Sequence, residues 1–168
     1  MPTFMETCNC RGTRPLGVIG KRYVSRPDIV GSLLKDRHVS RFIVAPTGFG
    51  KSNVAYEYAN IVFGFQHVFW IRCTSPCFLR DLDAGILYSG IMSCDPNIQL
   101  AVFEDVPSMD PHRCELLSEL MNSLLEIECE VVVTCTPSAD TFSGLQLDRF
   151  VVHPKDLMVT DNELTIEE

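Results

Sequence analysis

The segment Ala45-Pro46-Thr47-Gly48-Phe49-Gly50-Lys51-Ser52 places two glycines, a lysine and a hydroxyl directly after the apolar run Phe42-Ile43-Val44. Glycines in such a turn let backbone N–H groups close on an anion. A following lysine reaches the β- and γ-phosphates of a nucleotide, and a serine hydroxyl can ligate Mg²⁺. The candidate nucleotide-binding residues are therefore the whole loop from Ala45 to Ser52, with Gly48, Phe49 and Gly50 as the cradle, Lys51 on the phosphates and Ser52 on the metal. The general pattern, G-x-x-x-x-G-K-[ST], has glycine where this chain carries Ala45. A second group of reactive side chains ends another apolar run: Leu100-Ala101-Val102-Phe103 is followed by Glu104 and Asp105. In-line phosphoryl transfer needs charge neutralisation and a positioned water. Glu104 is read as the acid holding Mg²⁺ through water and Asp105 as the one polarising the nucleophile, with Lys51 completing the catalytic set.

These residues must be held by strands and helices, and the hydrophobic pattern supplies them. Five short apolar runs, at 41–45, 67–73, 100–104, 130–135 and 148–153, alternate with helix-like stretches. That order predicts a three-layer α/β domain with a mostly parallel five-stranded sheet and crossover helices. The runs are rich in valine, isoleucine and aromatics without strict alternation, as suits strands covered on both faces. One helix is signalled by Ser25-Arg26-Pro27-Asp28, with a capping serine, an early proline and a first-turn acid ahead of Ile29, Val30, Leu33 and Leu34. Another starts at Asp110-Pro111, after which Leu116, Leu117, Leu120, Met121, Leu124 and Leu125 recur at helical spacing. The phosphate loop thus falls between a strand and the helix-like run Ser52 to Val62, where the first turn adds free N–H groups and its dipole.

With 168 residues and 46% hydrophobic content the chain can bury one ordinary core. The expected division is a flexible tail over 1–20, one phosphate-loop domain over 21–153 and an extension over 154–168. The formal net charge of −8 argues against direct DNA binding by this chain alone. The charge is uneven: residues 1–80 carry 11 Lys+Arg against 4 Asp+Glu, and residues 81–168 carry 3 against 18. A basic first half suits an anionic ligand, and the acidic second half reads as a solvated surface. The eight cysteines show no matched pairs at zinc spacing and read as buried thiols of a reducing compartment. His112 and His153 have no partners at ligand spacing either. No run approaches the length of a membrane span and the first residues lack a signal-peptide pattern, so a cytoplasmic protein with no membrane contact is expected.

The loop Ala45 to Ser52 resembles that of the STAND signal-transduction ATPases, in particular the ATP-binding domain of large LuxR-type transcriptional regulators, whose loops have the form A-P-A-G-F-G-K-T. In that light Ala45 looks like a family trait. Further similarity lies in Tyr23 to Leu34, in His67 to Leu87, in Leu100 to Met121 and in Phe150 to Leu164. The resemblance implies ATP and Mg²⁺ as ligands, the roles already given for Gly48, Gly50, Lys51, Ser52, Glu104 and Asp105, and a place near the adenine for Val24 and Arg26. It also implies that residues 154–168 lead toward a winged helix. The chain departs from the family at three points. Glu104 stands where aspartate is usual, Thr136 replaces an arginine that could contact the γ-phosphate, and the 168 residues hold no winged-helix or sensor region.

The function expected from these features is ATP binding with weak or partner-dependent hydrolysis in signal transduction or transcription regulation, with a protein partner or self-association. Two other readings stay open. One is a nucleotide-binding interaction module without catalysis. The other is a fragment of a superfamily-two helicase, whose later Thr-Ala-Thr-Pro motif is echoed by Thr134-Cys135-Thr136-Pro137, but whose acidic motif runs Asp-Glu, the reverse of Glu104-Asp105.

Overall fold

The computed structural model describes residues 8–9, 27–35, 37–142 and 149–153. The elements run β1 (Cys8–Asn9), α1 (Pro27–Leu33), β2 (Ser40–Val44), α2 (Lys51–Phe63), β3 (Val68–Arg72), α3 (Pro76–Ala84), α4 (Leu87–Cys94), β4 (Leu100–Glu104), α5 (Pro111–Glu126), β5 (Glu130–Cys135), a short 3₁₀ turn (Pro137–Ala139) and β6 (Arg149–Val152). The sheet order is β1-β3-β4-β5-β2-β6. The five strands β2 to β6 are mutually parallel, and β1 adds a sixth, antiparallel strand on the edge of β3. The two residues of β1 lie in the stretch read from sequence as a tail.

Side chains alternate across the sheet into two cores. Phe42, Val44, Phe69, Ile71, Ala101, Phe103, Val131 and Val133 point to one face, where α3, α4 and α5 cover them with Phe78, Leu82, Leu87, Ile91, Leu117, Met121 and Leu124. Ile43, Ala45, Trp70, Leu100, Val102 and Val132 point to the other, under Ile29, Val30 and Leu33 of α1 and Val54, Ala55, Tyr58 and Ala59 of α2. Burial on both sides is why the strands read as near-continuous apolar runs in place of alternating ones. Their boundaries differ from the sequence expectation by one residue at several ends.

Local chemistry fixes the helix ends. The Ser75 side chain accepts from Cys77 N at 3.3 Å with Pro76 opening α3, and Asp110 Oδ1 accepts from Arg113 N at 2.8 Å with Pro111 opening α5. Gly64 and Gly85 close α2 and α3 in the left-handed region, φ 57° and 70°, with their N–H groups returned to carbonyls of the last turn. Gly85 also separates α3 from α4. No described helix is long and apolar enough to cross a membrane.

Charged groups meet at the amino-terminal ends of the strands. Arg41, fully buried on β2, donates to Glu130 Oε1 on β5 at 2.8 Å, to Tyr58 Oη on α2 at 2.7 Å and to the Leu33 carbonyl of α1. Tyr58 donates to the same carboxylate, and Arg37 reaches Glu130 Oε2 at 2.6 Å from the half-exposed side. The Arg41–Glu130 pair therefore ties two helices and two strands together at the end of the sheet opposite the phosphate loop.

Candidate functional site

The loop after β2 opens at the carboxyl end of the sheet, between β5 and β6, where strands in open α/β folds present their ligand sites. Ala45 is fully buried, and its N–H donates to the Cys135 carbonyl at 3.1 Å, prolonging the β2–β5 ladder by one step. Its methyl therefore belongs to the core. The chain then turns: Phe49 N donates to the Pro46 carbonyl at 3.4 Å, and Gly48 and Gly50 hold left-handed φ values of 92° and 78°. Residues with a Cβ resist that conformation, which is the local reason for glycine at these two places. Gly50 is the N-cap of α2 and offers no side-chain cap, so the first N–H groups of the helix are left for another acceptor.

Lys51, only 7% exposed, opens α2 and donates from Nζ to the Pro46 carbonyl at 3.1 Å, arching across the loop. A cleft of about 570 Å³ lies in front of it. Of the residues named from sequence, Thr47, Gly48, Gly50, Lys51, Ser52 and Asp105 line this cleft. Ala45 is in the core, Pro46 supplies the carbonyl for Lys51, and Phe49 stands 37% exposed outside the cleft wall. Val24 and Arg26 lie outside the described residues.

The two acids at the end of β4 part company. The Trp70 indole N–H on β3 donates to Glu104 Oε2, and Glu104 is not part of the cleft wall. Burial pushes the Glu104 carboxyl above its ordinary value. The Trp70 bond and the Arg72 charge pull the other way, while the Asp105 charge adds to the rise. Asp105 adopts a left-handed φ of 55°, and its N–H donates to Thr134 Oγ1 at 2.8 Å. Val106 N donates to the Thr134 carbonyl at 3.0 Å, so one fully buried residue of β5 grips both peptides of the turn. Aspartate tolerates this backbone better than most side chains.

The cleft also draws on residues the sequence did not single out as ligands: Asn53, Thr74 after β3, Val106, Pro107 and Ala139, with Thr136 at the place where the resemblance calls for arginine. Thr74 could have been found from its place just past a strand end, since that is where such sheets bind ligands. Cys135, next to the cleft but 1% exposed, has its thiol pushed up to about 12, chiefly by burial, and so stays protonated at neutral pH. It packs in the core.

A parallel sheet between two helical layers, with a glycine-lysine-serine loop at the end of its inner strand β2, defines a P-loop NTPase fold. Solved structures agree. The chain is similar to a DNA replication initiation factor with a TM-score of 0.54 at 14% identity, over 82% of this chain and 47% of the other. The replication initiator DnaA bound to AMPPCP and single-stranded DNA gives 0.56 at 14%, over 89% and 50%. AMPPCP-bound DnaA from Aquifex aeolicus gives 0.53 at 14%, over 80% and 47%. The chain thus spans about half the length of these proteins, and at this identity the likeness is one of fold. No protein-family model matches the sequence, and no curated protein matches it.

Proposed function

We propose that the chain is an ATP-binding phosphate-loop domain, of STAND type, with weak or partner-dependent hydrolysis in a signalling or transcription-regulatory protein. The observation that carries this is the convergence, in one cleft, of the left-handed glycines Gly48 and Gly50, Lys51, Ser52 and Asp105. Around the two glycines nothing lies within 4 Å of where a Cβ would sit, which leaves room for phosphate oxygens against the loop backbone. Two of the similar structures carry AMPPCP, an ATP analogue, in keeping with a nucleotide as ligand.

The residues present also suit Mg²⁺. Among the described residues no three His, Cys, Asp or Glu side chains gather as a cage. Mg²⁺ keeps several waters and takes one or two carboxylates beside phosphate oxygens, so the Ser52 hydroxyl and an acid from the end of β4 suffice. When bound, the ion would neutralise phosphate charge and polarise the reacting oxygens. The chain's own part is then to bind and orient. The Gly48 to Gly50 backbone and the first turn of α2 hold phosphates through N–H groups, Lys51 turns from the Pro46 carbonyl to an outer phosphate, and Asp105 presents its carboxylate to the cleft.

A second reading, a nucleotide-binding interaction module without turnover, is favoured by Thr136 in place of a phosphate-facing arginine and by the engagement of Glu104 with Trp70. Titration with fluorescently labelled ATP and a phosphate-release assay on the wild type and Lys51→Ala separate the two. Binding and slow turnover that both fall in Lys51→Ala support the ATPase, and binding without turnover supports the module. Turnover raised by nucleic acid would favour the helicase-like alternative, and a wild-type chain that binds no ATP removes all three.

A further inference from the structure

Two neighbouring acids at the carboxyl end of β4 are committed to different partners. Glu104 accepts from the Trp70 indole and stands beside Arg72, away from the cleft wall. Asp105 forms part of that wall, turned there by its left-handed backbone and held by Thr134 Oγ1 at 2.8 Å. Both partners are buried, Trp70 at 2% and Thr134 at 0% exposure, but the indole holds the Glu104 carboxylate itself, whereas the Thr134 hydroxyl holds only the Asp105 peptide and leaves its carboxylate to the cleft. An indole N–H is a donor only. If Glu104 swung toward the phosphates, that buried donor would lose its partner, and such a loss opposes the movement. Asp105 needs no rearrangement to face a ligand.

We propose that Trp70 is a positioning residue that withholds Glu104 from the cleft, so that Asp105 is the carboxylate facing the phosphates and the Mg²⁺ they carry. This rests on the nucleotide reading above and sharpens it. It departs from the division of labour expected from the order Glu104-Asp105, in which the first acid takes the metal and the second the water: the metal falls to Asp105, and Glu104 stays on the indole.

Trp70 is the only tryptophan of the chain, so indole emission reports the surroundings of this one ring, the hydrogen bond to Glu104 among them. The first measurement uses the full chain without ligand. Glu104→Gln is expected to shift the indole emission and Asp105→Asn to leave it unchanged. The second is calorimetric titration with unlabelled ATP, in Mg²⁺ and in EDTA. The tightening produced by Mg²⁺ is expected to persist in Glu104→Gln and to fall about tenfold in Asp105→Asn, the scale on which metal sites respond to loss of a supporting group. Adding Mg²⁺ to the wild-type ATP complex should leave the emission where it was. In Trp70→Phe, where Glu104 is released, the Mg²⁺ effect should become sensitive to Glu104→Gln; if that variant does not fold, the two acid variants decide the matter. Loss of the Mg²⁺ effect in Glu104→Gln, or an emission shift on adding Mg²⁺, overturns the assignment while leaving nucleotide binding intact. A wild-type chain that binds no ATP in either condition overturns the nucleotide reading itself, and this role with it.

Discussion

Ala45 illustrates how one position can mislead and then inform. Judged against the general loop pattern it is a missing glycine, but its N–H continues the β2–β5 ladder and its methyl lies in the core, so no left-handed backbone is needed there. Gly50 is the opposite case, with φ 78° and no atom within 4 Å of an added Cβ. Space is free there, and the backbone is the constraint. Gly50→Ala is therefore expected to lose about 1–2 kcal/mol of stability from backbone conformation alone, whereas Ala45→Gly should cost about 0.5–1 kcal/mol in chain entropy plus about 0.8 kcal/mol for the buried methyl. Urea unfolding of the two variants checks this. A Gly50→Ala chain as stable as the wild type would mean that the loop backbone relaxes out of the left-handed region. The loop was legible in the sequence because its chemistry is local. The parting of Glu104 from Asp105 was not, since it depends on an indole 34 positions away that only strand pairing brings alongside.

At the scale of elements the same contrast holds. The starts of α3 and α5 are written in adjacent residues, Ser75-Pro76 and Asp110-Pro111, but α4 begins at Ile86 without a side-chain cap, and β1 exists only through its pairing with β3. The junction of α1, α2, β2 and β5 on the Arg41–Glu130 pair likewise has no sequence signature. Its energetics are nevertheless definite. Burial alone would raise the Glu130 carboxyl, but hydrogen bonds from Arg37 and Tyr58 and the Arg41 charge outweigh it and leave it below the ordinary value. A depressed carboxyl stabilises the fold above its unfolded value near 4.5, and that contribution disappears as pH falls through the lower folded value. Glu130→Gln should thus be less stable at neutral pH, by about 3–5 kcal/mol because the fully buried Arg41 loses its counter-charge. It should also lose the extra acid sensitivity below about pH 4.5 that the wild type shows. Arg37, whose side chain is 42% exposed, should matter far less, about 0–1 kcal/mol in Arg37→Ala. Thermal unfolding followed from pH 7 to pH 3 distinguishes them; equal losses in the two variants would place the stabilisation outside the buried Arg41 pair.

For the whole molecule, the decisive feature is that both cores hang on one sheet whose strand order interleaves the two halves of the chain. Strands β4 and β5 from the acidic half stand between β3 and β2 from the basic half. The charge asymmetry along the sequence therefore does not separate into two halves of the sheet. Neither core can be lost alone, because Phe42 and Ile43, or Phe103 and Val102, face opposite layers from the same strand. Unfolding is expected as one cooperative transition, and a ligand gripped at the end of β2 should stabilise the entire fold. ATP at about 100 times its dissociation constant adds about 2.7 kcal/mol. For a domain of this size each kcal/mol raises the midpoint by about 2–4 °C, so the expected shift is about 5–11 °C. Lys51→Ala, measured at the same ATP concentration, should show a much smaller shift while keeping the ligand-free midpoint within a few degrees, since the Nζ bond to the Pro46 carbonyl is a single hydrogen bond at the surface of the cleft. Differential scanning calorimetry reads both quantities. Two separate transitions would show that the helical layers do not share one cooperative sheet, and a shift that survives in Lys51→Ala would place the nucleotide somewhere other than this loop.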